Sequence, residues 1–96
     1  MEIRPPDGPA TDVQLEGLQV TVGRGRGNDV VIPDPTVSRH HLVLERLAAG
    51  WSAHDVHSTN GTLVNGEPIG TGRPLYPDDQ LQLGDTEVVY RADPSG

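Results

Sequence analysis

Three short segments of this 96-residue chain hold residues able to do chemistry on an anion. The first is Gly23-Arg24-Gly25-Arg26-Gly27, two guanidiniums spaced by glycines directly after a β-like run, Val20-Thr21-Val22. A guanidinium is permanently charged, and its forked donors match phosphate or carboxylate oxygens. The second is Ser38-Arg39-His40-His41, which offers a hydroxyl, a guanidinium and two imidazoles. The third is Ser58-Thr59-Asn60-Gly61, three hydrogen-bonding side chains ending on glycine, with a further Asn-Gly step at Asn65-Gly66.

Taken singly, each segment fits other chemistries, and each of those fails on a missing part. A Walker loop ends in Gly-Lys-Ser/Thr and opens a helix, whereas this chain has no lysine and continues into Val30-Val31-Ile32. The dinucleotide fingerprint G-x-G-x-x-G fails because Asn28 stands where its third glycine belongs. Ser38 with His41 suggests a nucleophile, but no orienting acid or oxyanion hole accompanies them and no G-x-S-x-G elbow is present. His40, His41, His54 and His57 come without an H-E-x-x-H helix or a carboxylate cluster, so neither a metal, a cofactor nor an enzyme active site is expected. Ser58, Thr59 and Asn60 have a plainer reading too, since such side chains in loops often satisfy their own backbone.

The formal charge is −7, from seven arginines against fourteen carboxylates, which repels a polyanion and argues against nucleic acid as partner. Residues 23–41 hold three arginines and two aspartates, a net of +1, so the rest of the chain carries −8. A small anion can therefore find a cationic edge on an acidic body. There is no cysteine, which excludes disulfides and thiolate metal sites. No basic-then-apolar leader opens the sequence and no apolar run approaches the ~18 residues of a membrane span, so a soluble cytoplasmic protein is expected.

The elements that must position these residues read as strands. Hydrophobic residues make up only 33% of the chain and phenylalanine is absent, so the core has to be small and aliphatic. Twelve glycines and nine prolines favour turns over helices. Apolar runs recur at the spacing of an all-β sandwich or barrel, predicting strands at 12–15, 18–22, 30–32, 40–46, 51–56, 62–64, 80–83 and 86–91. Leu42 and Leu44 fall on one face, Val43 and Glu45 on the other. Residues 44–49 alone have helical leanings, in a stretch too short to hold without support. Asn65-Gly66 suits a two-residue hairpin turn, whose returning arm through Pro68 is a short edge piece. Asn60-Gly61 instead ends a loop at a strand mouth. Residues 1–11 read as a flexible leader, 12–92 as the domain and 93–96 as a flexible end.

Together the motifs resemble the forkhead-associated (FHA) domain, a phosphothreonine-peptide-binding module. The resemblance rests on Gly23-Arg24, Ser38-Arg39-His40-His41, Ser58-Thr59-Asn60-Gly61-Thr62 and Asn65-Gly66, in order, with Asn28-Asp29-Val30-Val31-Ile32-Pro33-Asp34 and Leu81-Gln82-Leu83-Gly84-Asp85 between and after them. It implies a sandwich of two mainly antiparallel sheets, about eleven strands, with the ligand held by loops at one end. It further implies that Arg24, Ser38, Arg39 and Thr59 hold the phosphate, which carries a charge near −2 and three acceptor oxygens. Asn60 would grip the backbone of the bound peptide. Gly23, His41, Gly61, Asn65 and Gly66 would support the site, His41 by bonding across the loops to order Ser38, and Asn65 by bracing the binding loops as well as its hairpin. Arg26 either meets acidic peptide residues or faces solvent, and Arg26, Asp34, Thr36 and Val37 are the side chains expected to read residues around the phosphothreonine. The expected partner is a phosphothreonine-containing protein in a Ser/Thr kinase pathway, a kinase substrate or the kinase itself. An FHA fold that meets its partner without phosphate is the alternative.

Overall fold

The structure, a computed structural model, describes residues 1–48 and 50–91. Eleven strands and no helix make up the described residues: β1 Glu2–Arg4, β2 Thr11–Asp12, β3 Gln19–Gly23, β4 Val30–Val31, β5 Leu42–Leu47, β6 Gly50–Asp55, β7 Thr62–Val64, β8 Glu67–Pro68, β9 Arg73–Pro74, β10 Gln80–Leu83 and β11 Thr86–Val89. They form two sheets, ordered β2-β1-β11-β10-β7-β8 and β4-β3-β5-β6-β9. All pairings are antiparallel except β3 with β4. The all-β sandwich expected from the sequence is the fold observed.

The core lies between the sheets and is built by period-two alternation. Val20, Val22, Leu42, Leu44, Trp51 and Ala53 point inward from one sheet, Ile3, Val64, Leu81, Leu83 and Val88 from the other, and all are buried. Val20 pairs with Leu44 and Val22 with Leu42, so the segment with helical leanings is a strand from Leu44 to Leu47. Burial of two leucines against a neighbouring strand outweighs a weak local propensity. Ala49 lies outside the described residues, as does the expected flexible end at 93–96.

The start of the chain departs from its expected looseness. β1 pairs with β11, placing Ile3 opposite Val88, and both Met1 and Ile3 are buried. Glu2 and Arg4 alternate outward, where Arg4 reaches Glu2 at 2.9 Å and Glu87 at 3.0 Å, and Arg91 reaches Glu2 at 3.0 Å. The prolines that follow, Pro5, Pro6 and Pro9, mask this two-residue period in the sequence. β9 also went unforeseen, because Arg73-Pro74 carries no apolar alternation. It is held as an edge by pairing with Ser52 and Ala53. β8 is the short edge piece expected, with Pro68 opposite Leu63.

Docking of β1 has a measurable consequence. Ile3→Ala removes a side chain from the closed core and should destabilise the domain by about 2–4 kcal/mol, read from urea unfolding. An unchanged unfolding midpoint would mean that the segment is not packed as described.

Candidate phosphate-binding loops

Three loops converge at one end of the sandwich: residues 24–29 after β3, 32–41 between β4 and β5, and 56–61 between β6 and β7. The first two are zipped together by backbone bonds. Arg24 N donates to Ser38 O at 2.9 Å and Gly25 N to Arg39 O at 3.1 Å. Asn28, which is buried, donates its side-chain amide to both Arg39 O at 2.7 Å and Gly25 O at 2.8 Å. The approach is so close that a Cβ on Gly23 would overlap the Arg39 carbonyl. Glycine is therefore required here by contact rather than by an unusual φ.

His41 ties the second loop to the third. Its ring is fully buried; Ser38 N donates to Nδ1 at 3.1 Å, and Nε2 lies 2.9 Å from Gly61 O. A backbone N–H can only donate, so Nδ1 is bare, the proton sits on Nε2, and it is given to the Gly61 carbonyl. The ring thus bridges the second and third loops. This geometry also argues against a nucleophilic pair, since the imidazole bonds the backbone of Ser38 and not its hydroxyl. Gly61 then takes φ +76°, a value that favours glycine, as the chain turns into β7.

Ser38 Oγ accepts the backbone N–H of Thr59 at 2.9 Å. The hydroxyl is thereby oriented with its own proton still available to an outside acceptor. Arg24 is exposed, but its Nε donates to Val37 O at 3.1 Å, which fixes the stem, and its terminal nitrogens make no hydrogen bond among the described residues. Arg39 and Thr59 are exposed beside these groups. Arg24, Ser38, Arg39 and Thr59 thus stand on segments bonded directly to one another. Asn60 joins them from the third loop, donating Nδ2 to Thr36 O at 2.8 Å.

Two expectations do not hold. Asn65 and Gly66 have φ of 51° and 84°, as a two-residue hairpin turn demands, but Asn65 braces the opposite flank. It bonds Asp79 at 2.9 Å and the backbone N–H of Gln80 at 2.9 Å, tying the β7–β8 turn to the start of β10 and not to the binding loops. Asp34 and Val37, expected to face a partner, are buried. Val37 belongs to the core, and Asp34 accepts from Thr36 N at 2.9 Å, Thr36 Oγ1 at 2.8 Å and Thr86 Oγ1 at 2.7 Å. Asn28 and Asp55 were missed altogether as parts of the scaffold. Asp55 accepts from Ser58 N at 3.0 Å, Ser58 Oγ at 2.6 Å and Thr62 Oγ1 at 2.7 Å, shaping the third loop. The sequence signal for both aspartates is an Asp two or three residues before Ser or Thr at a turn.

The electrostatics follow from these bonds. Asp29 is held by Thr21 N at 2.9 Å, so every carboxylate within or flanking the three loops is committed to N–H and O–H donors. Arg24, Arg26 and Arg39 make no ion pair among the described residues; nor does Arg46, which lies over the Trp51 ring on the strands, whereas Arg4, Arg73 and Arg91 do. Of the loop carboxylates Asp34 is buried, Asp55 half-buried and Asp29 exposed but bonded to Thr21, while Arg24, Arg26 and Arg39 are exposed, which leaves a locally cationic edge. Burial pushes the Asp34 carboxyl up, but the Thr36 N–H and the Thr86 and Thr36 hydroxyls outweigh it and its pKa ends below the ordinary 3.8. Asp55 behaves likewise, with burial outweighed by the Ser58 and Thr62 hydroxyls and the Ser58 N–H.

Groups with lowered native pKa stabilise the fold above their unfolded value and lose that contribution as pH falls through the native one. The melting temperature should therefore fall as pH drops below about 4, and Asp55→Asn should flatten that acid limb while lowering stability at pH 7. Parallel acid limbs for the two proteins would contradict it. Gly23→Ala should cost about 1–3 kcal/mol by overpacking and shift backbone NMR signals of residues 38–40 first. Shifts confined to residues 19–22 would show that the Arg39 carbonyl is not the obstacle.

Comparison with known proteins agrees with this geometry. The FHA domain family matches residues 20–84. The chain is 37% identical over 71 residues to the ABC transporter ATP-binding/permease protein Rv1747 of Mycobacterium tuberculosis, covering 74% of this chain but spanning only 8% of that protein's length. Among solved structures, one described as a structural and functional analysis of phosphothreonine-dependent FHA domain interactions superposes with a TM-score of 0.85 at 32% identity, over 97% of this chain and 96% of that one. Mycobacterium tuberculosis EmbR in complex with a low-affinity phosphopeptide superposes with a TM-score of 0.77 at 26% identity, over 94% of this chain and 24% of EmbR. A sandwich whose three end loops are stitched together through Gly23, Ser38, His41 and Gly61, with the sequence match running across all of them, identifies this chain as a member of the FHA domain family.

Proposed function

We propose that this domain binds a phosphothreonine-containing segment of a partner protein, a substrate or member of a Ser/Thr kinase pathway, in the cytoplasm. Arg24 and Arg39 neutralise the phosphate, Ser38 and Thr59 donate hydroxyls to its oxygens, and Asn60 holds the peptide backbone through the amide groups that Thr36 leaves free. The observation that carries this reading is that Arg24 and Arg39, which make no ion pair among the described residues, stand on loops bonded directly to one another beside the oriented Ser38 hydroxyl. The phosphopeptide bound to EmbR, at 26% identity, supports the same ligand class.

The energetics fit a transient interaction. A guanidinium 4 Å from one unit of phosphate charge gains about 4 kcal/mol gross at an effective dielectric near 20. Desolvation and ordering of a flexible peptide consume much of that. Two guanidiniums against a charge near −2 gain about 16 kcal/mol gross on that scale, and after those costs roughly −8 kcal/mol, a micromolar Kd, is expected. The methyl that separates phosphothreonine from phosphoserine is worth only ~1–3 kcal/mol, so phosphoserine binds more weakly and is not excluded.

A phosphothreonine peptide selected from a degenerate library should bind with about micromolar Kd by titration calorimetry, and its dephosphorylated form should not bind. Arg24→Ala should weaken binding by about a hundredfold while the unfolding free energy stays within about 0.5 kcal/mol. Undiminished affinity in Arg24→Ala would remove this site from consideration.

A further inference from the structure

Thr36 touches none of the proposed phosphate ligands, yet three loops meet on it. Its N–H donates to Asp34 Oδ1 at 2.9 Å and its hydroxyl donates to the same oxygen at 2.8 Å. That hydroxyl also accepts Asp85 N at 2.7 Å, from the turn between β10 and β11. Its carbonyl accepts Nδ2 of Asn60 at 2.8 Å. The other Asp34 oxygen takes the Thr86 hydroxyl at 2.7 Å, with Asp34 and Thr86 both buried. Gly84 abuts Thr36 so closely that a Cβ there would overlap the Thr36 carbonyl and hydroxyl oxygens. Every polar group of Thr36 is engaged: of its four bonds, two go to the buried Asp34 and one to the β10–β11 turn, leaving the fourth for Asn60.

Asn60 is in the opposite situation. It is exposed, and the bond to Thr36 O is the one that fixes its amide among the described residues. Asn60, Thr36, Gly84 and Asp85 are among the residues lining an open groove of about 370 Å³, so this amide stands beside space that a ligand can enter. An asparagine free to rotate would have to be ordered by the ligand at the expense of affinity. One already ordered presents its Oδ1 acceptor and remaining N–H in a fixed direction.

We propose that Asp34 and Thr36 are positioning residues for Asn60: a buried carboxylate grips Thr36 by two donors, the β10–β11 turn backs it, and its carbonyl holds the asparagine amide ready for the partner's backbone. This rests on the reading of Asn60 as the peptide-backbone contact. Strands β10 and β11 thereby take part in binding through the turn that joins them.

The test is a double-mutant cycle on the folded domain, using a phosphothreonine peptide selected by the wild type. Thr36→Val and Asn60→Ala should each weaken binding about tenfold, and the double variant no further, because Thr36 acts through Asn60. Thr36→Ser, which keeps the hydroxyl, should bind as the wild type. Wild-type affinity in Thr36→Val, or a loss of about a hundredfold in the double variant, would overturn the proposal. The unliganded wild type provides a second arm that does not depend on that variant folding. Its Asn60 side-chain amide should exchange with solvent more slowly than a free asparagine amide, and exchange at the free rate would also overturn the proposal. Failure of the wild type to bind any phosphothreonine peptide would count against the functional reading, and the exchange measurement would still judge the relay.

Discussion

The site depends on one buried imidazole. His41 sits where β5 begins, with no exposed surface, and takes one hydrogen bond from Ser38 N and gives one to Gly61 O. Both bonds are needed, because a buried ring nitrogen without a partner would be costly. The two bonds set the separation of the second and third loops, and through them the meeting of Ser38 Oγ with Thr59 N. The first loop is then sutured to the second through the Arg39 carbonyl, which accepts from Gly25 N and from the Asn28 amide. Rigid strands supply the frame, but it is this short chain of bonds that brings residues distant in sequence to one end.

The same bonds decide the electrostatics. A domain of net charge −7 would ordinarily be a poor receptor for a dianion. Here the carboxylates within or flanking the three loops accept from donors: Asp29 from Thr21, Asp34 from Thr36 and Thr86, Asp55 from Ser58 and Thr62. Each loop is shaped by an aspartate whose carboxylate accepts from loop or strand donors, most completely at Asp34 and Asp55. Arg24, Arg26 and Arg39 on the same loops are exposed and make no ion pair among the described residues. Local cationic character is thus a by-product of how the loops are folded. At physiological ionic strength, where screening sets in over about 8 Å, local charge outweighs the acidic remainder for a small ligand, while an extended polyanion would meet that remainder.

Much of this was legible in the sequence, for reasons that can be stated residue by residue. Short apolar runs between turn residues located β3, β5, β6, β7, β10 and β11, and alternation is clear where one face is buried, as at Leu42 and Leu44 of β5 and Leu81 and Leu83 of β10. Asn65-Gly66 announced its turn because both residues need positive φ, which that dipeptide tolerates. β1 was hidden because two inward residues, Met1 and Ile3, are too few to make a visible period before three prolines. The roles of Asp34, Thr36 and Asp55 were hidden for another reason. A polar loop residue looks the same in sequence whether it faces solvent or closes a hydrogen-bond network, and only the arrival of Thr86 or Thr62 from another strand decides which. Asn65 was misjudged in the same way: its partner, Asp79, lies on the other flank of the sheet.

The most direct test is an amide-detected NMR titration of the domain with a phosphothreonine peptide and, separately, its dephosphorylated twin. The account predicts that the phosphorylated peptide alone perturbs signals, with the largest shifts at residues 24–26, 38–39 and 59–60 and little change along β1, β8 and β9. Shifts centred on any other surface, or equal shifts from both peptides, would contradict it.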